Sequence, residues 1–81
     1  MASRYIVSEV KALTKSAKKV VLKPNIKSHR KLLNQEIQLY DKIYSLKGDL
    51  DEAKLRPLFE KMLSAMAEAE ESVCNAIKKY I

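Results

Sequence analysis

The scarcest residues place the tightest limit on this chain. Its 81 residues include one glycine, Gly48, and two prolines, Pro24 and Pro57. A sandwich or barrel of short strands needs a turn every ~8–12 residues, and turns rely on Gly and Pro for backbone conformations that other residues avoid. Three such residues cannot serve that many turns. The chain must use few, long elements, and the all-α class follows.

Apolar residues recur every three to four positions in three segments, the period of a helix with one buried face. The first runs from about Ser3 to Leu22, with Ile6, Val10, Leu13, Ala17 and Val20 in line and Ser3 as candidate N-cap. Pro24 ends it, because proline lacks a backbone donor and disfavours a helical residue before it. Asn25 is a good cap for a second helix reaching about Lys47, where Gly48 fits the left-handed stop. Two apolar rows line this helix: Leu32, Leu39, Ile43 and Leu46 form one, and Ile26, Leu33, Ile37, Tyr40 and Tyr44 the other. A stripe of that width predicts contact with two neighbouring helices.

Asp49 followed by Glu52 resembles a capping box and predicts a third helical start. Its apolar repeat is Leu55, Phe59, Met62, Met66, Ala69, Val73, Ala76 and Tyr80. Pro57 interrupts this stretch, so a kink or break is expected there, with 50–55 folding across one end or the helix continuing bent. Short connections make consecutive helices antiparallel. The expected fold is a single domain over 1–81, a small up-down-up three-helix bundle, with four segments if the chain breaks at Pro57.

Charge is unevenly spread along this chain of net charge +6. Residues 1–31 hold nine Lys/Arg against Glu9 alone, a balance of +8; residues 32–81 hold seven against nine acids, −2. The expected topology gathers Lys15, Lys18, Lys19, Lys23, Lys27, Arg30, Lys31, Lys78 and Lys79 at one pole. Asp41, Asp49, Asp51 and Glu52 map to the other. Lysines at the ends of helices one and three complement the helix dipole, but Lys27, Arg30 and Lys31 occupy a first turn and its sequel, where the dipole prefers acids. The candidate site for an anionic partner is therefore Lys19, Lys23, Lys27, Arg30 and Lys31.

Chemistry finds little support. The lone His29 has no second His or Cys at ligand spacing, and Cys74 has no evident His partner and reads as a buried structural thiol. There is no glycine-rich phosphate loop. Neither an enzyme nor a cofactor is expected. One cysteine and an N-terminal segment without a signal-type apolar run predict a cytoplasmic protein.

A non-enzymatic protein-interaction module is the leading expectation, whether adaptor, chaperone or inhibitor/immunity-type binder. Its candidate anchors are Tyr40, Tyr44, Phe59 and Met62, and the small core leaves room for a homo-oligomer. The alternative is binding of nucleic acid or an anionic membrane surface through the basic pole. Small basic helical bundles such as bacteriocin-immunity proteins and secretion chaperones resemble this architecture, but no motif is shared and no residue's role carries over.

Overall fold

The Pro24–Asn25 step separates two helices as its chemistry requires. In the computed structural model, which describes residues 2–46 and 50–79, α1 spans Ala2–Leu22, α2 Ile26–Ser45 and α3 Glu52–Lys78. Asn25 has extended backbone angles (φ −154°, ψ 132°), and its Oδ1 accepts from the backbone N–H groups of Lys27 (2.8 Å) and Ser28 (3.2 Å). Two of the four N–H groups that a helix start leaves without partners are thereby satisfied.

The other two starts differ from the sequence expectation. Helix α1 begins at Ala2, so Ser3 lies inside it and is not its cap. Helix α3 is capped by Asp51, whose Oδ1 accepts from the Lys54 N–H at 3.3 Å. Asp49 of the anticipated capping box, Gly48 and Tyr80 lie outside the described residues.

Pro57 does not divide the third element. Helix α3 runs unbroken through it, so there is no fourth segment and 50–55 does not fold across the end. An interior proline removes one ladder bond and crowds the carbonyl four residues back, at a cost of about 3 kcal/mol. Burial on both sides of the proline opposes a break. Leu55 precedes it and Met62 follows it, both in the core, and a break would take Leu55 out of register. Ala53 and Pro57 are exposed, so water can satisfy the carbonyl that the proline leaves free.

The bundle is up-down-up, with an all-helical core and no strand among the described residues. Antiparallel pairing of α1 and α2 is fixed near one end, where Lys42 Nζ lies 2.6 Å from the Tyr5 hydroxyl and 3.9 Å from Glu9 Oε1. At the other end the Ser72 hydroxyl donates to the Val21 carbonyl at 3.0 Å, aligning α3 parallel to α1. The core is a seam between these two parallel helices. Ile6, Val10, Leu13, Ala17 and Val20 face Leu55, Met62, Ala65, Met66, Ala69 and Val73 across it. Helix α2 adds only Leu32 and Leu39 in full, with Ile43 and Leu46 packed at the edge.

The three helices do not close into a symmetric triangle. Helix α1 packs most extensively on α3, then on α2, while α2 and α3 barely meet. The Cα trace measures 47 × 20 × 14 Å. A closed triangle of helices spaced 8–10 Å apart would be about 14 Å wide in both short directions. Helix α2 is thus splayed from α3, and its second apolar row reaches that second neighbour chiefly through Tyr40, which stacks on Phe59.

Pro57→Ala should restore the missing ladder bond without altering the core, raising unfolding free energy by about 1–3 kcal/mol in urea titrations. An unchanged or lowered midpoint would mean that the proline's geometry is required by α3.

Candidate functional site

The row that α2 fails to bury is the most unusual surface of the molecule. Ile26, Leu33, Ile37, Tyr40 and Tyr44 all stand exposed, with Ile37 at 58% and Tyr44 at 71%. Spacings of seven, four, three and four residues put them on one helical face, over about 27 Å of axis. Isolated apolar side chains on a surface need no explanation, but a continuous line of this length does.

The line runs beside the open seam between α2 and α3. Tyr40 bridges that seam by stacking on Phe59 of α3, with ring centroids 6.4 Å apart and planes inclined by 19°. Partial burial, followed by the nearby Glu36 charge, raises the Tyr40 hydroxyl above its ordinary pKa. Two grooves open on either side of the bridge. One is walled by Ile43, Tyr44, Leu50, Phe59 and Leu63, with Glu52, Arg56 and Glu60 on its rim. The other lies between Ile26, Lys27 and Arg30 of α2 and Val73, Ala76 and Ile77 of α3.

The four anchors named from sequence therefore separate. Tyr40 and Tyr44 lie on the exposed row, and Phe59 is half-buried at the groove wall. Met62 is 0% exposed and belongs to the core. Leu33, Ile37 and Leu63 complete the surface but had not been singled out as anchors. Their period was visible, but the direction in which α3 would lean was not.

The basic residues assemble at the end where α1 and α3 finish and α2 begins. Lys19 and Lys23 line a shallow cleft with Leu22, Asn25 and Ser28. Lys27 and Arg30 face the α3 terminus across the second groove. Lys31 is exposed one turn along α2, and among the described residues none of these five side chains makes an ion pair. Leu22 stands 85% exposed among them. The opposite end is mixed rather than acidic: Arg4, Lys11 and Lys54 meet there, and Lys42 and Arg56 lie close to the acids. Lys42 sits 5.0 Å from the Tyr5 ring centroid, and its hydrogen bond to that hydroxyl raises its pKa.

Among the described residues no three His, Cys, Asp or Glu side chains are grouped to hold a metal, and no helix is long and apolar enough to cross a membrane. Cys74 is exposed, contrary to the buried thiol expected, because it lies about 100° around α3 from the Val73 core position. His29 is half-buried, and its Nε2 is enclosed without a hydrogen-bond partner among the described residues. Compared with protein-family models, curated proteins and solved structures, the chain matches none.

Truncation should distinguish core from surface. Met62→Ala should lower stability by about 2–5 kcal/mol, whereas Ile37→Ala should stay within about 0.5 kcal/mol, both read from urea midpoints. A large loss at Ile37 would show that the row is internally packed and not a free surface.

Proposed function

We propose that this chain is a non-enzymatic protein-binding module whose contact surface is the outer face of α2 with the adjoining α2–α3 grooves. The observation that carries this reading is the exposed row Ile26, Leu33, Ile37, Tyr40 and Tyr44 on a helix whose opposite row is already packed. An apolar line flanked by grooves suits a partner that lays an amphipathic helix along it, with side chains seated every three to four residues. Tyr40 and Tyr44 supply the rigid aromatic area common in interface centres. Arg30, Asp41 and Glu60 border the row and provide a polar rim.

Leu33→Gln and Ile37→Gln together keep both charge and helix propensity while removing apolar area. Affinity capture with this bait should lose the bound partner at least ~10-fold relative to wild type, with the helical circular dichroism signal intact. Full capture by the doubly substituted bait would remove this face from the interface.

A second reading rests on Lys19, Lys23, Lys27, Arg30 and Lys31, a set of exposed cations at one end that make no ion pair among the described residues. An anionic partner, whether nucleic acid or a lipid surface, would dock there. Neutralised phosphates release counterions, so affinity should fall by orders of magnitude between about 50 and 200 mM salt. Flat salt dependence, or unaltered binding by a Lys27→Glu, Arg30→Glu, Lys31→Glu variant, would leave the pole a solvated surface.

A further inference from the structure

Resting on the protein-binding reading, we infer that the occupant of the α2 face is a second copy of this chain, with the two α2 helices antiparallel. The argument begins with the order of residues on the face. Ile26, Arg30, Leu33, Ile37, Tyr40 and Tyr44 follow one another at intervals of four, three, four, three and four. This spacing reads the same in both directions, so a two-fold axis at residue 35 lays the row on itself. Ile26 then meets Tyr44 of the other copy, and Leu33 meets Ile37.

Charge selects the antiparallel arrangement. Arg30 and Asp41 are eleven residues apart, so at ~100° per residue they lie within about 20° of each other on one flank of the row. Both are exposed, and neither side chain has a hydrogen bond or ion pair among the described residues. The two-fold axis sets Asp41 of the second copy on the same flank as Arg30 and one residue, about 1.5 Å of rise, from level with it, and does so twice. A parallel two-fold pairing in register would instead send the second copy's charges to the opposite flank and leave each Arg30 about 16 Å along the axis from the nearest Asp41 level. It would also stack the two lysine-rich ends, whereas antiparallel pairing sets them at opposite ends of the assembly.

The area is of the right order. The exposed side chains of the row, with Leu63 at the groove wall, present roughly 600 Å² of mostly apolar surface, against about 800 Å² per partner in a standard interface. Flanking groove and rim atoms can supply the remainder. Isologous two-fold pairing is the commonest way for a small chain to cover such a surface.

Sedimentation equilibrium of the full chain from low to high micromolar concentration tests this. The wild type should form a dimer. Arg30→Asp and Asp41→Arg should each weaken dimerisation by about tenfold or more, because each sets like charges opposite one another. The double variant Arg30→Asp, Asp41→Arg should recover to within about threefold of wild type, the coupling signature of a direct pair. Both sites are exposed, and circular dichroism verifies folding of each variant.

A wild-type chain that stays monomeric throughout overturns the self-pairing. If its α2 face still captures a different protein, and Leu33→Gln, Ile37→Gln abolishes that capture, the protein-binding reading stands without it. A dimer indifferent to both Gln substitutions overturns the self-pairing through this face. Single charge variants without effect, or a double variant that fails to recover, overturn the antiparallel register.

Discussion

Everything else in this molecule hangs on the parallel seam between α1 and α3. Parallel helices cannot be joined by a short turn, so α2 must run between them as the return path. The seam itself is close because small residues occupy it. Ala17 on α1 and Ala65 and Ala69 on α3 alternate with Val10, Leu13, Met62 and Met66, letting large side chains fill the space opposite small ones. Helix α2 is then held mainly from the α1 side. Leu32 and Leu39 enter the core, and Tyr5, Glu9 and Lys42 tie its far end to α1.

That uneven attachment explains both the order and the openness of the structure. Burial of Leu55 on one side of Pro57 and Met62 on the other keeps α3 continuous, since the seam needs both in register. The same seam draws α3 towards α1 and away from α2. The Tyr40–Phe59 stack spans the resulting gap, leaving grooves on either side of it. An 81-residue chain has few apolar side chains to spare. Five of them on one exposed row are a large share to leave outside.

The helices were legible in the sequence because their signals are local. Pro24 and Asn25 state where α1 must end and α2 begin, and the Ile6–Val20 line states which side of α1 is buried. What the sequence could not state is relational. A period of 3.6 identifies both apolar rows of α2, but only the lean of α3 decides which is covered. Cys74 shows the same limit, since adjacency to the core residue Val73 along the chain is a turn of about 100° in space. At Met62 the heptad placed the side chain on the right stripe, and the seam then closed over it. At Pro57 the local cost of an interior proline is readable while the burial that opposes a break is not, so the sequence leaves a break and a continuous helix both open. The basic pole was legible, because up-down-up order alone brings those lysines together; the other end is mixed because the same order also brings Arg4, Lys42, Lys54 and Arg56 to its acids.

The two notable surfaces meet on α2 and constrain each other. Arg30 belongs to both, as a cation of the basic end and as the charged position within the apolar row. Any partner covering the row must accommodate a guanidinium near one end and a carboxylate, Asp41, near the other. An anionic polymer or bilayer offers no cation for Asp41, and its flat or regular charge would reach the lysines without touching Ile37 or Tyr44. A helix with the opposite order of charges satisfies both groups while covering the apolar residues between them. The antiparallel image of α2 itself has that order, so the feature that argues against a simple phosphate-binding role also describes the surface that fits.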